Sequence, residues 1–133
     1  MMTNQRRSIA VRTLPKQIDG VQRKALYRDL EGCINVDRPA VVFDCSELRQ
    51  LDKPAIHFLL CCLEEAMKRN GDVRLAAPSR EAKLVMESMG IDLLFQVFEN
   101  IGEALESFHT PQMSIILHQQ STANDQRMSE NAA

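Results

Sequence analysis

Histidine and cysteine are where this chain could hold reactive chemistry. His57 and Cys61 stand four residues apart in a stretch of helical periodicity, a spacing that brings an imidazole beside a thiol and could make a Cys–His nucleophile. The plainer reading is a packed thiol beside a solvated imidazole. His57, His109 and His118 share no metal-ligand spacing with one another or with acids. The cysteines at 33, 45, 61 and 62 form neither a metal motif nor a disulfide framework. Three of them fall on apolar faces, and Cys45 sits in a turn. The five glycines are scattered, so no glycine-rich loop cradles a phosphate. Catalysis is not encoded by any of these, and no cofactor or metal is called for. Two features remain: the sequence Asp52-Lys53-Pro54-Ala55 at a helix entrance, and Phe58 a few residues on.

The elements that position them follow from periodicity. Ala40–Phe43 is a short apolar run, as a strand buried on both faces requires, and Asp44-Cys45-Ser46 turns the chain. Asp52 is a good N-cap, and Pro54 lies in the first turn, where a missing N–H costs little. Ile56, Leu59, Leu60, Leu63 and Met67 then form one helical stripe, ended by Asn70-Gly71. At about 100° per residue Phe58 points away from that stripe, flanked by Cys61 and Cys62. It is expected either to meet a partner or to be covered by a loop or by the C-terminal residues. His57 is expected at the surface.

Upstream, Ile9, Val11 and Thr13 alternate as an edge-like strand, and a second short strand through Gln17-Ile18 is left open. Asp19-Gly20 opens a helix with Leu26, Tyr27, Leu30, Cys33 and Ile34 on one side. Downstream come a strand with Val73, Leu75 and Ala76, then a helix capped by Ser79 and ended by Gly90, with Ala82, Val85, Met86 and Met89 on its buried face. Leu94–Phe98 is expected as a last strand, and Asn100 with Glu103 caps a final helix through Phe108. Strands alternating with helices predict a single α/β domain over residues 1–109, a small, mostly parallel sheet with right-handed crossover helices. Residues 110–133 are polar apart from Met113–Leu117 and are expected to be a dispensable tail.

Composition narrows the partners. A formal charge of −2 over 133 residues leaves no electrostatic footprint for nucleic acid, and 44% hydrophobic with 26% charged residues is ordinary for a soluble domain. No segment reads as a signal peptide or a membrane span. Adjacent Cys61 and Cys62 suit a reducing cytoplasm.

The order and spacing of these motifs resemble STAS domains, the small domains of bacterial anti-sigma-factor antagonists. VVFDCSELRQLD is similar to that family's apolar strand, turn and second Asp, and GDVRLAAPSREAKLVMESMGIDLLFQVFENIGEAL resembles its closing half. LPKQID is similar to the family's early strand ending in Asp, here Asp19, without the usual glycine. The resemblance spans residues 9 to 108. It implies a non-enzymatic interaction module acting in transcription regulation by partner switching, on whose central helix entrance a serine-kinase-like anti-sigma factor docks. The family phosphorylates the second serine of an Asp-Ser-Ser-Gly motif there. Residue by residue, Asp52 matches the Asp, Lys53 the first serine, Pro54 the phosphoacceptor and Ala55 the glycine, so the acceptor position is lost. Asp19, Asp52, Lys53, Pro54, Phe58 and Cys61 are thus the candidate partner-binding residues. A second reading is an accessory subunit on the ATPase of a lipid-transport ABC system. A homodimer is compatible with either.

Overall fold

A computed structural model describes residues 8–109. The chain runs β1 (Ile9–Thr13), α1 (Gly20–Ile34), β2 (Ala40–Asp44), α2 (Lys53–Lys68), β3 (Asp72–Ala76), α3 (Arg80–Ser88), α4 (Ile91–Leu94), β4 (Val97–Phe98) and α5 (Ile101–His109). The four strands are parallel and adjacent in the order β1-β2-β3-β4, with Ile9 opposite Ala40, Ala40 opposite Asp72 and Leu75 opposite Val97. The expected α/β architecture is therefore the observed one.

The side chains of successive strand residues point to opposite faces, and the two faces are covered differently. Val41, Phe43, Val73 and Leu75 join α1, α2, Met86, Ile91 and Phe95 in the main core. Ala40, Val42 and Ala76 face the other way and, among the described residues, pack under α5 through Ala104 and Phe108. β2 is buried along four of its five residues, which is why its sequence is a continuous apolar run rather than an alternating one. Arg74 lies under α5, its guanidinium 3.9 Å from the Phe108 ring centroid and bonded to Asp72 at 2.9 Å and to the Ser107 hydroxyl at 2.6 Å. A buried cation is tolerated there because an acid, a hydroxyl and an aromatic face replace water.

Local signals behave as their chemistry dictates. Asp19, Asp52 and Ser79 each accept a hydrogen bond from the backbone N–H three residues on. Asn100 does the same for Glu103 at 2.8 Å. Asn70 (φ 63°) and Gly90 (φ 74°) carry the left-handed turns that end α2 and follow α3.

The open point at Gln17-Ile18 resolves against a strand: Ile18 instead plugs the main core at 1% exposure. Three expectations are corrected. The last strand is only Val97–Phe98, because Ile91–Leu94 closes a short helical turn first. Met67 and Met89 are exposed rather than buried: Met67 lies at the rim of α2, and Met89 falls past the last turn of α3. The third is Phe58, which is fully buried. The apolar stripe is made of large residues, yet the small Ala55, Cys62 and Ala66 sit at 0% exposure beside Leu59. Small residues let the helix approach the sheet closely, so the buried arc is centred on them. Taking about 100° per residue, this rotates its centre by roughly 75° from the large-residue stripe. Phe58 then falls inside the arc and Met67 outside it.

Candidate functional site

The C-terminal ends of β1 and β2 form one rim, and the helix entrances stand on it. Asp52 has extended backbone (φ −101°, ψ −175°) and its Oδ1 accepts from the Ala55 N–H at 3.2 Å. Lys53 and Pro54 occupy the first two helical positions, and all three side chains are exposed. Leu51 before the cap and Ile56 after it both enter the main core, the pairing that fixes the angle at which a chain enters a helix.

The loop before this entrance is anchored at several points. Cys45 donates its N–H to the Ala76 carbonyl at 2.8 Å, Asp44 accepts from the Ser46 N–H at 3.0 Å, and Leu48 is fully buried. The N–H groups of Arg49 and Gln50 both bond the Lys16 carbonyl, at 2.9 and 3.1 Å. These bonds tie the β1–α1 loop to the β2–α2 loop, so Asp19, the exposed N-cap of α1, belongs to the same rim as Asp52. The two tied loops thus lead into the exposed Asp19 on one side and the exposed Asp52, Lys53 and Pro54 on the other, and Lys16 and Arg49, at the tie itself, are exposed too. Sequence reasoning missed Lys16 and Arg49, whose placement depends on a contact between residues far apart in the chain.

Phe58 and Cys61 are not on the rim. Phe58 packs edge-on against Tyr27 of α1 (centroids 4.9 Å apart) and tilted against Phe43 of β2 (5.8 Å), sealing the joint between α1, α2 and the sheet. An anchor for a partner must be reachable, and this ring is not. Cys61 is half-buried on α2, its Sγ 3.5 Å from Nε2 of the exposed His57. Its other neighbour is the Tyr27 hydroxyl; burial first, then the hydrogen bond with Cys61, pushes that phenol well above its ordinary range. With the Tyr27 hydroxyl on one side of Cys61 and His57 on the other, the three form a polar seam along α1 and α2. Burial pushes the Cys45 and Cys62 thiols up to about 12, which keeps both protonated. Among the described residues no group of three or more His, Cys, Asp or Glu could hold a metal ion, and no helix is long and apolar enough to cross a membrane.

A four-stranded parallel sheet with its helix entrances gathered at one end defines the class: a small α/β domain. The STAS domain family model matches residues 1–104, and the chain belongs to that family. No curated protein matches the sequence. Among solved structures, the chain is similar to a Thermotoga maritima protein described as an anti-sigma factor antagonist, at 15% identity and TM-score 0.62 over 75% of this chain and 86% of that one. It is similar to an anti-sigma-factor antagonist (STAS) domain protein from Planctomyces limnophilus, at 15% identity and TM-score 0.63 over 72% and 86%. It is equally similar to the STAS domain of a SulP transporter from Vibrio cholerae, at 16% identity and TM-score 0.64 over 81% and 86%. At these identities the likeness is one of fold.

Proposed function

We propose that this chain is a non-enzymatic, cytoplasmic STAS module of a partner-switching pathway, binding a serine-kinase-like anti-sigma factor through the rim at the entrance of α2. Its partner-binding residues are Asp19, Asp52, Lys53 and Pro54, with Cys61 at the margin. The observation that carries this reading is Pro54 itself. It stands exposed at the second position of α2, where the family's antagonists take their phosphate, and it has no hydroxyl. No Ser, Thr or Tyr occurs between Ser46 and Ser79, so no neighbour can substitute. A phosphate would add about two negative charges at a helix start. Lys53 adds a positive one instead, against the positive end of the helix dipole, a small cost that an acidic partner surface offsets. Binding is therefore constitutive and insensitive to kinase and ATP at this site.

The test is capture of the protein's partner from its native host, followed by incubation with that partner and ATP. The reading requires a histidine-kinase-like ATPase fold in the captured protein, no stoichiometric phosphate by mass spectrometry, and a loss of affinity of about tenfold or more in Lys53→Glu. Stoichiometric phosphate on Ser46 or Ser79 with release of the partner would overturn it. The second reading is an accessory subunit on the ATPase of a lipid-transport ABC system. Capture of an ABC ATPase would establish that one instead.

A further inference from the structure

Three side chains that could take part in proton and sulfur chemistry meet where α1 lies against α2. His57 and Cys61 stand one helical turn apart on α2, with the Cys61 Sγ 3.5 Å from the His57 Nε2. From α1, the Tyr27 hydroxyl reaches the same sulfur. The Tyr27 ring is fixed edge-on against buried Phe58, centroids 4.9 Å apart, so packing holds its hydroxyl at the thiol. Cys61 is half-buried and His57 exposed, which leaves the sulfur within reach of a small solute. The cluster stands wholly within the described residues; the expected C-terminal tail, residues 110–133, lies outside them.

Oxidation of a thiol by a peroxide needs a base for the S–H proton, a donor beside the sulfur, and an acid for the departing oxygen. Cys33 provides the comparison within the same chain. It too is half-buried, and its Sγ accepts from Nη2 of Arg12 at 3.1 Å. That guanidinium also bonds Asp29 at 2.9 Å and the Val11 carbonyl at 3.0 Å. Arginine stays protonated, so it neither takes the thiol proton nor returns one. Cys33 therefore has a donor alone, whereas Cys61 has a donor and an imidazole that serves as base and then as acid.

We infer that Cys61 is a hydroperoxide-reactive thiol, a modification site in which His57 carries the proton. With its Nδ1 protonated, the imidazole takes the thiol proton on Nε2. The sulfur attacks the hydroxyl oxygen of hydrogen peroxide or an alkyl hydroperoxide. The S–O bond forms as the O–O bond breaks; the sulfur is oxidised by two electrons to a sulfenic acid and the peroxide is reduced. The departing hydroxide or alkoxide takes the proton back from His57, giving water or an alcohol and restoring the neutral imidazole. Tyr27, whose burial keeps the phenol protonated, donates to the sulfur while it is negative. Cys62 is adjacent in the chain but fully buried, and its thiol stays protonated, so it offers no thiolate to convert the product into a disulfide. The product is a sulfenic acid on the joint between α1 and α2, distinct from the position of Pro54.

Hydrogen peroxide added to the full chain near neutral pH, with dimedone present to trap sulfenic acid, tests the inference. Peptide mass spectrometry reads the rate at each cysteine. Cys61 is expected to be labelled at least about tenfold faster than Cys33, and Cys45 and Cys62 to stay unlabelled in the folded chain. His57→Gln, at an exposed position, should slow Cys61 by about tenfold and leave the Cys33 rate unchanged. Tyr27→Phe, which keeps the ring against Phe58, should slow Cys61 by about threefold. Equal rates at Cys61 and Cys33 in the unaltered chain would overturn the inference without recourse to any variant. So would a Cys61 rate unmoved by His57→Gln, or label that arrives first on Cys62. None of these readouts depends on the identity of the rim's partner.

Discussion

Truncating Phe58 to alanine is the sharpest probe of how α2 is seated. The ring is fully buried between Tyr27 and Phe43, with centroids at 4.9 and 5.8 Å. A buried aromatic removes about 150–200 Å² from water, which at about 25 cal/mol/Å² is about 4–5 kcal/mol as an upper figure. The edge-on contact with Tyr27 adds about 0.5–1.5 kcal/mol, while relaxation of the neighbours returns part of the total. The expected loss is therefore about 4 kcal/mol, comparable with Leu59→Ala and large against a typical domain stability of about 5–15 kcal/mol. Guanidinium unfolding followed by far-UV circular dichroism measures it, with the slope checked so that a change in midpoint reads as a change in stability. Tyr27→Ala should cost less alone, and less still in the Phe58→Ala background, because the ring contact is then already gone. A loss below about 1 kcal/mol for Phe58→Ala would refute this seating of α2 and return Phe58 to the surface.

Buried thiols supply a prediction in pH. Cys45 and Cys62 have folded values raised from 9.0 to about 12 by burial, so their contribution is complete below pH 9 and lost as pH rises from 9 toward 12. Stability should fall across that window, and a Cys45→Ala/Cys62→Ala variant should flatten the fall; an unchanged slope would count against it. At pH 8 iodoacetamide should modify the half-buried Cys33 and Cys61 before either buried thiol, read by peptide mass spectrometry, and equal rates at Cys61 and Cys62 would contradict the burial. Gly71→Ala should destabilise by about 2–3 kcal/mol in urea melts, since a Cβ there meets the Pro39 carbonyl oxygen, which already accepts from the Asp72 N–H; a neutral substitution would mean the turn can shift. Asp52→Ala should cost about 1 kcal/mol through the lost cap, and Asp52→Asn much less, in the same assay.

What the sequence determined by itself is whatever depends on neighbours a few residues apart. Asp19, Asp52, Ser79 and Asn100 cap helices because a short oxygen-bearing side chain reaches an N–H three residues on, whatever the rest of the fold does. Asn70 and Gly90 turn left-handed for reasons equally local, and the alternation of strands with helices selects a parallel sheet. That residue 54 is a proline, without a hydroxyl, is likewise legible without coordinates. Only the tertiary structure decided which side of α2 is inside, because that angle depends on what packs against the helix. The small residues Ala55, Cys62 and Ala66 turn toward the sheet, and Tyr27 from α1 meets Phe58, drawing an apparently outlying ring into the core and leaving Met67 in water. The rim is decided the same way: the Lys16 carbonyl holds Arg49 and Gln50 from thirty-odd residues away, a bond that no local pattern announces.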